Sequence, residues 1–300
     1  MARPILFDPV ESPYLVPFDD SFKIKKAPTD PTETEGKQAN IDALEEQVDK
    51  LEKLQHKLFA DDRYSVLLIF QALDAAGKDG TIRAVLSGVN PAGTQVYSFK
   101  VPEAEELDHD FLWRVQRNLP ERGRIGVFNR SHYEEVLVVR VHPEYLGAQR
   151  LPRGTDNLDE LWEERYESIN AAEKHWARNG TVVLKFFLNV SQKEQHKRFL
   201  DRCTDPEANW KFNETDLAES KRWDDYMTAY QDMLRATSKP WAPWYAIPAD
   251  SKSYMRRTVA EIVVDTLERL PLAYPPVSDK RKAAIAEARA ALEAEKLASQ

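Results

Sequence analysis

The 300-residue sequence predicts an α/β fold: a five-stranded, mostly parallel sheet with helices on both faces. Three observations carry this. Val66-Leu67-Leu68-Ile69-Phe70 and residues 181–190 are apolar, β-branched runs of the kind that form strands buried on both faces. The longer segments between such runs repeat their apolar residues at helical spacing. Strand and helix alternate five times, and that order needs parallel strands joined by crossover helices.

Residues 1–34 are rich in Pro, Asp and Thr and lack periodicity, so they read as an extended segment lying over the surface or a neighbouring subunit. Ile41, Leu44, Val48, Leu51, Leu54 and Leu58 recur at helical spacing and predict a packing helix over 41–58. The strand 66–70 follows, then a small-residue loop, then a short helix over 81–86. Asn90-Pro91-Ala92-Gly93 is a turn. Residues 94–100 read as a second strand, and Pro102 opens a helix over 103–118. A third strand covers 124–128 and a helix 131–141. The polar stretch 142–156 crosses the surface. Asn157 caps a long helix over 158–178, which Gly180 ends. After the fourth strand, Ser191-Gln192-Lys193-Glu194 has the capping-box spacing. Asp205-Pro206 breaks the helix that follows, and another covers 215–236. Residues 244–247 form a fifth strand and 251–270 a helix. Pro271, Pro275 and Pro276 make a linker to a terminal helix over 279–299. The expected organisation is an N-terminal segment (1–34), a main domain (35–270) with a helical lid at about 195–239, and a linker with terminal helix (271–300).

Strand, small-residue loop with Gly-Lys, then helix is the build of a phosphate-binding P-loop (Walker A). The loop Asp74-Ala75-Ala76-Gly77-Lys78-Asp79-Gly80-Thr81 offers backbone N–H groups and a helix N-terminus to phosphate oxygens. Lys78 adds a full charge where the outer phosphates lie. Ala72 stands in place of the usual first glycine, and Asp79 in place of the Ser or Thr that holds magnesium. Carboxylates, Asp74 and Asp79, therefore take over the metal's side of the loop. The third strand ends in Phe128-Asn129-Arg130-Ser131-His132-Tyr133-Glu134, which puts Asn129 and Arg130 at a strand tip and Glu134 one turn on.

With 42% hydrophobic and 31% charged residues the composition is that of a soluble protein. Cys203 is the only cysteine, so no intrachain disulfide forms and a reducing compartment is expected. The N-terminus, broken by prolines and acids, is not a signal peptide, and no apolar run approaches a membrane span. A cytoplasmic protein is expected, with neither membrane nor nucleic acid as partner. The formal net charge of −8 argues against a general nucleic-acid binder. A polyanionic substrate would need a local basic groove. Arg83, Lys100 and Arg124 are candidates for its wall, and Arg198, Arg202 and Lys211 for the lid.

The run Asp74 to Gly80, with Asn90-Pro91, Ser98-Phe99-Lys100-Val101-Pro102 and Asp108-His109-Asp110-Phe111-Leu112-Trp113-Arg114, resembles the polyphosphate kinase 2 family. Phe128 to Glu134 is similar to that family's Walker B region. In the lid, Asp205-Pro206, Trp210-Lys211-Phe212, Trp223, Tyr226 and Ala242-Pro243-Trp244 match as well. The resemblance covers about residues 35–270. Asn129 and His132, followed by Val136 to His142, look most like class III members, although Asn129 replaces a common aspartate. The resemblance implies a thymidylate-kinase-like, three-layer α/β/α P-loop fold with a helical lid. It implies Mg2+-dependent phosphate transfer between inorganic polyphosphate and AMP or ADP, forming ADP or ATP. It also implies a homo-oligomer, dimer or tetramer. In this scheme Lys78, Asp74, Arg130, Asn129 and Glu134 are catalytic, and Asp74, Asn129 and Glu134 form the metal set. Ala75, Ala76, Gly77, Asp79, Gly80 and Thr81 hold phosphate together with the basic residues named above. His132 is read as a packing or hydrogen-bonding residue, not as a phosphohistidine. His109 with Asp108 and Asp110 is read as a polar cap, not as a metal site. Without the resemblance, an ATP-dependent nucleoside monophosphate kinase or a non-catalytic nucleotide-binding module fits the same loop.

Overall fold

The computed structural model describes residues 7–31, 35–152, 156–207 and 209–298, without the side chain of Lys211. Five strands run β1 (Ser65–Gln71), β2 (Thr94–Ser98), β3 (Ile125–Asn129), β4 (Thr181–Asn189) and β5 (Trp244–Pro248). They form one sheet in the order β2-β3-β1-β4-β5, and every neighbouring pair is parallel. The principal helices are α1 (Lys37–Asp61), α2 (Lys78–Val85), α3 (Leu158–Arg178), α4 (Gln192–Thr204), α5 (Glu214–Ser220), α6 (Trp223–Thr237), α7 (Lys252–Arg269) and α8 (Asp279–Ala298).

β1 explains the three layers. All of its residues are buried, and their side chains alternate between faces. Val66, Leu68 and Phe70 meet Leu51 and Leu58 of α1, Val85 of α2 and Val263 of α7. Leu67 and Ile69 meet Ile169 and Trp176 of α3 and Met233 and Leu234 of α6. Each such side chain contributes about 1.5–3 kcal/mol on full burial. The predicted α/β/α architecture with five strands is therefore present.

The N-terminal segment runs over the protein's own sheet edge. Leu15 bridges Tyr245 in antiparallel sense, with Val16 N donating to Trp244 O at 2.9 Å and Ala246 N to Tyr14 O at 2.8 Å. This covers backbone groups that β5 would otherwise expose. Residues 32–34, the end of the predicted segment, lie outside the described residues, as do 153–155 of the surface stretch and Ser299 of the terminal helix.

Several predicted helices are broken. The expected 103–118 helix is two single turns, Ala104–Leu107 and Trp113–Gln116. Asp110 Oδ1 accepts from Leu112 N at 2.9 Å, a local bond that competes with helix. The 131–141 segment is a 3-10 turn, His132–Val136, then Val138–Val141, broken where Leu137 adopts φ −114°, ψ −81°. The 142–156 stretch contains two further short turns, Pro143–Tyr145 and Leu146–Gln149. The 215–236 helix splits into α5 and α6. Ser191 Oγ accepts from Glu194 N at 3.1 Å, but the Glu194 carboxylate turns to Arg198 at 2.9 Å, so only half the capping box forms. Among the described residues no helix is long and apolar enough to cross a membrane.

Candidate active site

The site is built at the carboxyl end of the sheet, where β1 and β3 end side by side. After β1 the chain turns sharply. Ala75 (φ 63°) and Gly77 (φ 107°) both adopt left-handed backbone, and α2 begins at Lys78. A side chain at Gly77 would be strained, and its Cβ would stand 3.3 Å from the Met255 methyl. Lys78 folds back over the loop. Its Nζ donates to Ala72 O at 2.7 Å and Leu73 O at 3.4 Å. Burial, and then the neighbouring Arg130, push its pKa below the ordinary lysine value. The outward carbonyls of the loop are held by α4. Gln195 Nε2 donates to Asp74 O at 3.0 Å, and Arg198 donates to Ala76 O at 2.8 Å and Ala75 O at 3.1 Å. The N–H groups opening α2 have no partners within the helix, the normal condition of a helix start.

β3 delivers the second half. Arg130 also sits in left-handed backbone (φ 62°), and its N–H donates to Phe70 O at 3.1 Å, which ties this turn to β1. Its guanidinium reaches Glu134 Oε2 at 3.4 Å and Asp74 Oδ1 at 2.9 Å. Glu134 and then Asp74 outweigh burial and hold Arg130 firmly charged. Two non-glycine residues in left-handed backbone at one site is strain of the kind that surrounding structure must hold in place. Asn129 Nδ2 donates to Asp79 Oδ1 at 2.7 Å, so the strand tip and the helix start are linked directly.

Two cavities meet at this point, and Asp74, Arg130, Phe99, Lys100 and Val101 line both. One, of about 600 Å³, is apolar, with Leu107, Leu137, Val138, Tyr145, Trp223 and Tyr226 in its walls. Its acids, Asp74, Glu134, Glu135, Asp216 and Glu219, outnumber its permanent cations, Lys100, Arg114 and Arg130. The other, of about 990 Å³, is cationic. Lys78, Arg83, Lys100, Arg130, Arg198, Arg202, Lys252 and Arg256 outnumber Asp74, Asp79, Asp201 and Asp205 there.

The family model described as Polyphosphate kinase 2 (PPK2) matches residues 34–272. The chain belongs to the polyphosphate kinase 2 family. An ADP-polyphosphate phosphotransferase of Rhodopseudomonas palustris is 52% identical over 255 residues, 85% of this chain and 88% of that protein. An AMP/ADP-polyphosphate phosphotransferase of Meiothermus ruber is 44% identical over 264 residues, 87% of this chain and 94% of that one. The crystal structure of polyphosphate kinase 2 from Arthrobacter aurescens TC1 superposes with a TM-score of 0.81 at 37% identity, covering 89% of this chain and 93% of that chain.

In this polyphosphate kinase 2 family member the structure gathers most of the sequence-predicted residues. Asp74, Lys78, Asn129, Arg130, Glu134 and the loop residues Ala75 to Thr81 stand at one sheet end, with Arg83 and Lys100 in the cationic wall. Arg202 lines the same cavity and pairs with Asp216 at 3.1 Å. Arg198 is there too, but its guanidinium is buried and bonded to backbone carbonyls, which makes it a brace for the loop. Arg124 is not brought to the site. It precedes β3, at the opposite end of the strand from Asn129, where it pairs with Glu121 and donates to Ala92 O. Lys211 belongs to the 3-10 turn Asn209–Lys211, and its side chain lies outside the described residues.

The expected lid is only partly an overhang. Gln195, Arg198 and Phe199 at its start, and Tyr230, Met233 and Leu234 near its end, are buried. Lys252 and Arg256 were missed by the sequence reading. Their i, i+4 spacing just after β5 was the available signal. His132 is fully buried, packs edge-on against Trp176 at 5.6 Å and has its Nε2 3.5 Å from Glu173 Oε1. Cys203 is exposed and supports no core.

The residues fit a magnesium ion of the kind that keeps most of its waters. Among the described residues no group of three or more His, Cys, Asp or Glu side chains is placed to hold a metal ion by itself. Asp74, Asp79 and Asn129 do stand beside the phosphate loop. Mg2+ ordinarily takes one or two carboxylates and fills its remaining positions with water and substrate phosphate.

Proposed function

We propose that this protein transfers the terminal phosphate of inorganic polyphosphate to AMP and to ADP, forming ADP and ATP, as a class III polyphosphate kinase 2. The observation that carries this reading is the pair of unlike cavities sharing the Asp74–Arg130 wall. The apolar, net-acidic cavity suits a nucleoside, and the cationic one suits a long polyanion. The names of the relatives from Rhodopseudomonas palustris and Meiothermus ruber support the same substrates.

In this scheme the nucleotide's phosphate enters the shared wall from the apolar side. A phosphate oxygen of the nucleotide attacks the terminal phosphorus of the polyphosphate in line, and the bond to the next phosphate breaks. The polyphosphate leaves one unit shorter. Lys78 and the N–H groups opening α2 bind oxygens of the transferring group, and Arg130 places its fork against the charge that spreads there. On binding, Lys78 exchanges the Ala72 and Leu73 carbonyls for phosphate oxygens. Direct transfer is supported by the burial of His132, which leaves no accessible histidine in the Walker B turn to carry a phosphate.

Asp74, with Asn129 and Glu134, is proposed to hold Mg2+, and Asp79 stands close enough to Asn129 to join them. The ion would supply neutralisation of the negative charge on the phosphates. Closure of a helical lid that carries Arg202 over the cationic cavity is part of the same proposal. A homo-oligomer, dimer or tetramer, and a cytoplasmic setting complete the proposal. Sedimentation velocity reads the first of these.

The deciding experiment incubates the purified protein with AMP, polyphosphate and Mg2+, without ATP. ADP and then ATP are expected, and chelation should stop their formation until Mg2+ is restored. Product formation only when ATP replaces polyphosphate as donor would overturn the reading.

A further inference from the structure

Between its polar end residues Thr181 and Asn189, β4 is apolar except at Lys185, which is fully buried. Its Nζ donates to Glu173 Oε2 at 2.6 Å, Tyr133 Oη at 2.7 Å and Thr237 O at 2.8 Å. Tyr133 Oη in turn donates to Glu173 Oε1 at 2.7 Å. Tyr133, Glu173 and Lys185 are all fully buried, and they come from three separate elements: the turn after β3, α3 and β4. The bond to Thr237 O adds the end of α6, where a cation is favoured by the helix dipole.

A packed apolar core of the same shape would be about as stable as a buried ion pair, so stability alone does not account for this cluster. What it adds is direction. An apolar contact lets a turn slide, whereas a hydroxyl held by both an ammonium and a carboxylate has one place to be. Tyr133 lies three residues after Arg130, in the same turn. Ser131 Oγ, between them, accepts from Tyr133 N at 3.2 Å and from Gln71 Nε2 at 3.1 Å. The strained Arg130 is thus pinned on one side by Phe70 O and on the other by the turn that Tyr133 anchors. The far end of the same cluster holds α6, whose Tyr226 and Tyr230 line the apolar cavity beside Arg130.

We propose that Tyr133, held by the buried pair Lys185 and Glu173, is a positioning residue for Arg130, setting the guanidinium at the wall between the cavities. The inference rests on the proposed role of Arg130, and the test separates the two. Y133F removes only the hydroxyl. The pair E173Q/K185M removes both buried charges and serves as a second variant if Y133F folds poorly. Both are measured on the full-length protein with AMP and polyphosphate, in wild-type and R130K backgrounds, alongside melting temperature.

The expected result is a loss of kcat of roughly ten- to hundredfold, as for a misplaced catalytic group, with both KM values within about threefold. In the R130K background the same substitutions should change kcat by less than about twofold, because residues that act as a unit are not additive. Wild-type kcat in the folded variants, or an equal loss in both backgrounds, would overturn the proposal while leaving the role of Arg130 intact. Wild-type kcat in R130K alone would instead overturn that role, and this inference with it.

Discussion

The two cavities on either side of the Asp74–Arg130 wall differ in almost everything except that wall. One is lined by rings and aliphatic side chains with an excess of acids, the other by lysines and arginines around the phosphate loop. The elements behind them differ too. The apolar side is built from the short turns after β2 and β3 together with α5 and α6. The cationic side is built from the starts of α2 and α7 and the body of α4. A single-substrate pocket has no need of such opposed linings. Two chemically unlike substrates that must meet at one phosphorus atom do need them.

The largest expected effect breaks both sides at once. K78A removes the charge at the junction and should lower kcat by about 10²- to 10³-fold in initial-rate assays with AMP and polyphosphate. Next come substitutions that touch one side only. K252A/R256A should raise the KM for polyphosphate about tenfold, the effect of roughly one charge-assisted contact, and leave the KM for AMP unchanged. The loss should be greater at high salt in wild type than in the variant, because fewer charges then remain to be screened. W223A should do the reverse, raising the KM for AMP about tenfold with polyphosphate unaffected. If either variant shifts both KM values together, the division of labour is wrong.

A smaller effect concerns the buried cluster behind the apolar side. Burial lowers the Lys185 pKa to about 8 despite the opposing pull of Glu173, with Lys239 adding to the shift. Tyr133 and Trp244 rings complete its surroundings. The folded pKa lies below the unfolded one, so between about pH 8 and pH 10 the unfolded chain holds more protons. Stability from this group therefore rises with pH across that window and is lost as pH falls through 8. The slope is at most about 1.4 kcal/mol per pH unit, the value for one proton. Denaturant titrations at pH 7.5 and 9.5 should show this rise in wild type and not in K185M. The smallest effect is the control. R124A should leave kcat and both KM values within about twofold, because Arg124 sits at the other end of β3.

The framework of this site was readable because its signals are local. β1 is apolar without interruption, and the Gly-Lys bend follows at once. Asn129 and Arg130 stand where a buried run ends, so their place at the strand tip followed from the run itself. Direction was harder. Arg124 precedes its strand, and in a parallel sheet that alone puts it at the wrong end. Arg198 and Arg202 occupy the same helix four residues apart. Yet one turns inward to brace Ala75 and Ala76, and the other faces the cavity. Only the packing of α4 against the loop decides which. The helix breaks at Asp110 and Leu137 were hidden because a side-chain bond and a backbone twist interrupted otherwise helical spacing. Lys185 was legible in principle: a lysine in the middle of an apolar strand demands a buried partner, but Glu173 is twelve residues upstream on a different element.

The most direct measurement is a crystal structure of the protein soaked with AMP and a short polyphosphate. A phosphate chain is expected along Lys78, Arg83, Lys252 and Arg256, its end at the Asp74–Arg130 wall, with adenine among Val138, Tyr145 and Trp223. Both molecules on the same side of that wall, or a chain whose end lies away from Lys78, would contradict that arrangement.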